Sequence, residues 1–159
     1  MIDNVHSQPS DMLNIDFHDE MRKPQHLNGI EVDGSEMLNV LSLFDPYGVW
    51  QLDLQTGKVT WTEDVYHIHG MPVGDGTVDL DAAVEAYHPE DKPYLEQAIE
   101  EAVSRKTGFR IVLRLKRPRG GYKLVKSTGM FRTRADGSGE LFGTFSQFQP
   151  ANRSVAAIA

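Results

Sequence analysis

The 159-residue chain contains no cysteine. That absence excludes disulfides, thiolate-ligated zinc, iron–sulfur clusters, a thiolate nucleophile and any cofactor attached through sulfur, and it suits a reducing compartment. Long hydrophobic runs are absent too: no stretch approaches the ~20 apolar residues of a membrane span. The first 30 residues carry Asp3, Asp11, Asp16, Asp19 and Glu20 and hold no apolar run of signal-peptide length. The expectation is a cytoplasmic protein with no membrane span. No repeat is legible, and the 14 Gly and eight Pro fall mostly between apolar runs, which excludes collagen-like, coiled-coil and solenoid designs. With 40% hydrophobic and 25% charged residues, this length supports one ordinary core plus short appendages.

Acid is missing from one long stretch. Between Ala102 and Ala135 there is no Asp or Glu, while 11 of the chain's 16 bases lie there, so the remainder holds five bases against 23 acids. The formal charge of −7 therefore conceals a two-sided molecule.

Residues 1–33 are polar with a broken apolar pattern (Leu13, Ile15, Phe17, Met21), interrupted by Pro24 and Gly29, and read as a flexible N-terminal arm. From Ser35, a candidate N-cap, Met37, Leu38, Val40, Leu41 and Phe44 recur at helical spacing before Asp45-Pro46, which predicts an amphipathic helix within 34–45. Val49 to Leu54, the turn Gln55-Thr56-Gly57 and Lys58 to Trp61 predict a β-hairpin. Short helices follow from Thr62 to His67 and from Leu80 to Tyr87. After His88-Pro89-Glu90, Asp91 is placed to cap a longer helix reaching about Arg105. Beyond Gly108 the period becomes two, with Phe109, Ile111, Leu113 and Leu115 on one face and Arg110, Val112, Arg114 and Lys116 on the other. Two more strands, Tyr122 to Phe131 and Leu141 to Phe148, complete an α+β pattern: a five-stranded antiparallel sheet with its helices on one face. Residues 149–159 read as a flexible tail.

Several of these segments carry a resemblance. Gly48-Val49-Trp50-Gln51-Leu52-Asp53, then Gly57-Lys58-Val59-Thr60-Trp61-Thr62, then Val65-Tyr66 resemble the opening of a PAS domain. His88-Pro89-Glu90-Asp91 resembles the turn that starts the long PAS helix, Phe109-Arg110 the strand after it, and Leu141-Phe142-Gly143-Thr144-Phe145 the final strand. The resemblance spans about residues 46–148 and departs from the family twice. Tyr122-Lys123-Leu124-Val125 stands where many members carry a Trp, and Ser146-Gln147-Phe148 replaces the usual Asp-hydrophobic-Thr ending that couples to an output domain. Eleven residues follow Phe148, with no kinase, cyclase or DNA-binding segment legible among them. The resemblance thus implies a stand-alone sensing or docking module in bacterial signalling, not an enzyme, with output through non-covalent contact and histidine kinases or other PAS proteins as partners.

What PAS domains hold between sheet and helices can be asked of these residues. Haem ligation through a His on the long helix fails, because residues 92–105 contain none. Flavin trapped by a cysteine is excluded. His67 and His69, two apart on a helix, point to different faces and make a poor metal pair, and Glu63 with His67 at i, i+4 reads as a surface pair. No nucleophile–base spacing or phosphate loop can be named. The apolar interior is expected from Trp61, Ile68, Met71, Val84, Leu95, Ile99, Ile111, Leu113, Val125 and Phe145, which line any cavity that the packing leaves, and the alternative function is a sensor that binds a metabolite or a non-covalent cofactor there. No cofactor is assigned.

Two surfaces remain. The apolar row Met37, Leu38, Leu41 and Phe44, with Val112 and Leu124 of the open sheet face, is expected to form a homodimer interface. Arg110, Arg114, Lys116, Arg117 and Arg119 are expected to dock acidic protein. Only Tyr122 interleaves the bases and the whole chain is acidic, so nucleic acid is not expected. The nearest acid for this basic face is the chain's own arm, with Asp11, Asp16, Asp19, Glu20, Glu31, Asp33 and Glu36.

Overall fold

A computed structural model of the chain describes the backbone of residues 14–18 together with residues 22–149 and 155–156. Of the arm expected at 1–33, residues 1–13 and 19–21 lie outside the described residues, as do residues 150–154 and 157–159 of the tail expected at 149–159. In chain order the elements are β1 (Asn14–His18), α1 (Gly34–Leu41), β2 (Tyr47–Asp53), β3 (Lys58–Trp61), α2 (Glu63–His69), β4 (Val78–Asp79), α3 (Leu80–Val84), α4 (Lys92–Arg105), β5 (Gly108–Lys116), β6 (Tyr122–Thr133) and β7 (Gly139–Gln147). The strands form one antiparallel sheet in the order β1-β5-β6-β7-β2-β3-β4. This is the expected α+β architecture with seven strands in place of five. The two additions sit at the sheet's edges, where a few residues suffice to pair: two-residue β4 beside β3, and β1 along residues 108–112 of β5.

Alternation sorts the sheet into an inner face under α2, α3 and α4 and an outer face. Leu52, Val59, Phe109, Ile111, Leu113, Leu115, Val125, Leu141 and Phe145 point inward and join Val65, Ile68, Val84, Leu95, Ala98 and Ala102 in one core. The period-two pattern that the sequence shows from 109 to 115 is realised residue for residue.

Two caps differ from expectation. The N-cap of α1 is Asp33, not Ser35: its carboxylate accepts from the Glu36 amide at 2.8 Å while the Glu36 carboxylate accepts from the Asp33 amide at 3.0 Å. Glu36 closes that reciprocal box, which Ser35 has no residue placed to match. Asp91 precedes α4 but caps nothing with its side chain. Its carboxylate instead accepts from the Arg114 amide at 2.9 Å and from the Arg114 guanidinium at 2.7 and 3.1 Å. The same turn supplies the His88 amide to the Arg114 carbonyl, and the Ala86 carbonyl accepts from the Lys116 amide, each at 2.9 Å. The far end of β5's edge is thus closed by residues 86–91, and its near end by β1.

Candidate functional site

On the inner face, the register sets Trp50 opposite Gly143, Gly143 opposite Gly129 and Gly129 opposite Phe109. The two glycines leave a trough across the sheet. A Cβ on Gly129 would stand 2.6 Å from the Trp50 ring and 2.9 Å from that of Phe109, so no larger residue is accommodated there without displacing them. Trp50 lies in that trough, its ring centroid 6.2 Å from that of Phe109, and donates its indole N–H to the Thr144 carbonyl at 3.1 Å. Above it, between sheet and helices, is a cavity of ≈ 70 Å³ lined by Trp50, Val84, Tyr87, Leu95, Ile99 and Phe145 among others, with His69 and Ser127 as polar members. An apolar cavity of about 150 Å³ holds benzene, so this one takes only a few heavy atoms.

His69 is the unexpected residue. It is buried at the end of α2, with its ring stacked on Trp61 at 4.4 Å and on Phe145 at 5.2 Å. Its Nδ1 lies 2.8 Å from the Val65 carbonyl, which fixes that nitrogen as the donor and leaves Nε2 as an acceptor. Among the described residues, Nε2 is the buried side-chain polar atom with no hydrogen-bond partner. Burial pulls the His69 pKa below its ordinary value, and the Lys123 charge adds to that against the opposing Val65 bond, so the ring is neutral. Burial likewise raises the Tyr87 phenol far above its usual value.

Of the residues expected to line the interior, Val84, Leu95, Ile99 and Phe145 do so. Ile68, Ile111, Leu113 and Val125 are wholly packed within the core, and Trp61 is half-buried against His69. Met71 is not interior: Gly70 ends α2 in a left-handed turn and Met71 emerges 44% exposed. His67 points outward as expected, but it pairs with Asp64 at 3.0 Å rather than with Glu63. His69 and Trp50 were missed. The alternation around Trp50 was visible, but neither the glycine trough nor the stacking partners of His69 are contiguous in sequence.

The outer face divides in two. At one end Glu140 is buried under the side chains of Gln51, Arg132 and Arg134, with Arg132 at 2.6 Å and Arg134 at 2.8 Å. Arg134 also reaches Asp53 at 2.9 Å, and Arg132 lies 4.2 Å over the Phe142 ring. The Gln51 hydrogen bond, with those of the two arginines, outweighs burial and holds the Glu140 carboxyl at about 2. Next to it, beginning at Phe142, a groove of ≈ 560 Å³ runs between residues 22–25 and the strands, lined by Met130, Phe142, Thr128 and Thr144 and by Arg22, Lys23, Arg110 and Lys126.

The five bases expected to dock a partner are not equivalent. Arg110, Lys116, Arg117 and Arg119 are exposed, but Arg114 is spent on Asp91 and Glu90. Hydrogen bonds from Arg114 outweigh the effect of burial and keep the Asp91 carboxyl below its usual range. The sequence reading missed Lys126, Arg22 and Lys23 as neighbours of Arg110. Of the expected dimer residues, Met37, Leu41 and Phe44 on and after α1 are exposed, as is Val40 at 64%, and Leu38, Val112 and Leu124 are half-buried. No residue of α1 is buried. No cluster of three or more His, Asp or Glu poised to hold a metal occurs among the described residues, nor any helix long and apolar enough to cross a membrane.

Comparison with known proteins meets this geometry. The family model described as PAS fold matches residues 58–143, just over half the chain. No curated protein matches. Similar solved structures include a domain of a putative light and redox sensing histidine kinase from Haloarcula marismortui, at 14% identity and TM-score 0.58, covering 71% of this chain and 98% of that one. A sensory box histidine kinase/response regulator from Burkholderia thailandensis is 17% identical with TM-score 0.57, over 70% of this chain and 82% of its own. The N-terminal domain of a diguanylate cyclase with PAS/PAC sensor from Marinobacter aquaeolei is 16% identical with TM-score 0.56, over 64% and 94%. At these identities the likeness is one of fold.

Proposed function

The chain belongs to the PAS fold family, and from that premise we propose that it is a regulatory module of bacterial signalling that works through its surface, binding signalling proteins such as histidine kinases or their PAS domains. The observation that carries this reading is the unequal development of its two faces. The interior is nearly filled, whereas the outer face offers a groove lined by apolar Met130 and Phe142 together with cationic Arg22, Lys23, Arg110 and Lys126. A partner presenting acidic residues around an apolar anchor matches it, and charge of this kind acts first on association rate and salt dependence. The exposed apolar row on α1 supports the second part of the proposal, a homodimer through that helix, because Val40, Leu41 and Phe44 have no cover within the described residues.

The test is affinity capture with cross-linking from the native cell, followed by mass-spectrometric identification, with Lys126→Glu/Met130→Asp as comparison. The expected result is recovery of kinase or PAS proteins by the natural chain and not by the variant, with thermal stability changed by no more than about 0.5–1 kcal/mol. Equal recovery by both removes the groove. Light scattering of Leu41→Asp/Phe44→Asp reads the dimer, which is expected to become monomeric.

A second reading has one observation in its favour. His69 Nε2 is an unpaired acceptor beside the cavity, and a small uncharged ligand with one N–H or O–H would satisfy it. In that reading the protein senses a small molecule, and native mass spectrometry would retain it.

A further inference from the structure

The edge of β5 is where the shared family pattern and this particular chain part company. Residues 58–143 carry the family match, and β1 lies outside them. It nonetheless occupies the sheet position beside β5, antiparallel, with Asn14 opposite Val112, Asp16 opposite Arg110 and His18 opposite Gly108. The remaining length of that edge is held by Asp91, His88 and Ala86 through bonds to Arg114 and Lys116. Residues 108–112 are therefore the accessible part of the edge, and β1 is a five-residue strand paired along one side only. Such a strand belongs to the low-stability end of a fold, opening without loss of the core. Residues 22–33, which lead from it to α1, form no helix or strand and are exposed apart from half-buried Val32.

We propose that residues 108–112 of β5 are a strand-accepting site for a partner protein, and that β1 occupies it in the unbound molecule. The proposal rests on the protein-binding reading and names the chemistry of the partner: an extended segment with an acidic residue between two apolar ones, like Ile15-Asp16-Phe17. The backbone of β5 supplies the ladder. Alternation places the partner's acidic residue on the face of Arg110, where Lys126, Arg22 and Lys23 also stand beside the groove, and its apolar residues on the face of Phe109 and Ile111. An acid opposite a base across two strands is favourable and a base opposite a base is not, so the register itself selects.

The absence of cysteine makes the test clean, since any disulfide is an introduced one. In the full-length chain, Asn14→Cys with Val112→Cys replaces a directly opposed pair and locks β1 in place when oxidised. The probe is a fluorescein-labelled peptide with the sequence of residues 11–20, read by polarisation. Because β1 competes from the same chain, at an effective concentration of about millimolar, the acceptor of choice is full-length Asp16→Lys. It is expected to bind the peptide at least tenfold more tightly than the unaltered chain. The oxidised cysteine pair is expected not to bind it and to regain the unaltered chain's binding on reduction. A peptide carrying Asp16→Lys should bind every form more weakly. Equal binding to oxidised and reduced protein overturns the site, as does failure of Asp16→Lys to bind. A disulfide that forms between chains on a non-reducing gel overturns it too, because a second copy then supplies the strand. If the oxidised variant still captures kinase or PAS proteins, the strand site falls while the protein-binding reading stands. Strand exchange with no such protein captured fails that reading and leaves the site.

Discussion

The inner and outer faces of this sheet are built from the same strands, residue by residue in alternation, yet they are held by different physics. Inside, Ile68, Ile111, Leu115 and Leu141 are completely buried, and among the described residues the buried imidazole of His69 is short of a partner at Nε2. Outside, order comes from charge: Asp91 with Arg114 at the β5 edge, Glu140 with Arg132 and Arg134 beside the turn that joins the central strands β6 and β7. The difference teaches that the forces holding the fold together are concentrated on one face, which leaves the proposed partner surface free to vary without loss of the core. Apolar burial carries the fold, while the outer surface between the two ion-paired clusters keeps exposed side chains such as Arg110 and Met130.

Substitutions on the two faces can break that comparison, beginning with the largest effect. Ile111→Ala removes a fully buried branched side chain and should cost about 3–4 kcal/mol in urea unfolding, since both transfer and cavity terms apply. A cost below about 1 kcal/mol would mean that the interior collapses freely. Asp91→Ala is expected to cost about 3 kcal/mol, because it leaves the Arg114 amide and guanidinium without their acceptor at a half-buried edge. Arg114→Glu should also be destabilising, because it sets a second carboxylate against buried Asp91, which separates this residue from Arg110 among the proposed docking bases.

Glu140→Gln tests the outer ion cluster through pH. The folded carboxyl sits at about 2 against an ordinary 4.5. Its contribution is therefore complete above pH 4.5 and is lost as pH falls toward 2. The variant should be less stable by about 2 kcal/mol near neutrality, and its difference from the natural chain should shrink through that window in acid-unfolding curves. A constant difference would mean that the carboxylate charge contributes nothing. His69→Phe is the smallest change, expected within about 1 kcal/mol at neutral pH because volume is nearly conserved and an orphaned acceptor disappears. Since the folded His69 titrates below its ordinary 6.5, the natural chain should lose stability as pH drops through 6.5 toward the lower folded value, and His69→Phe should lack that component.

Much of this was legible beforehand because it is local. Period-two alternation from Phe109 to Leu115 declares which side is buried, since neighbouring side chains on a strand must point apart. Helical spacing placed α1 and α4, and the ordered segments from Gly48 to Phe145 were enough to indicate a PAS fold. What failed was correspondingly non-local. Asp91 has the sequence position of a helix cap, but an arginine 23 residues away offers its carboxylate a stronger partner. Met71 has core composition, yet a left-handed Gly70 turns the chain outward before it.

The sequence by itself determined the fold class, the cysteine-free chemistry, the separation of acid from base along the chain and the set of residues able to form a core, because these depend on composition and short-range periodicity alone. Only the tertiary structure decided that Trp50 crosses two glycines to reach Phe109, that His69 sits between Trp61 and Phe145, that Arg114 is an internal clamp and that residues 14–18 close the β5 edge. Each of these is a contact between residues from separate elements. Its energy exists only once several strands have fixed their register, so no window of sequence contains it.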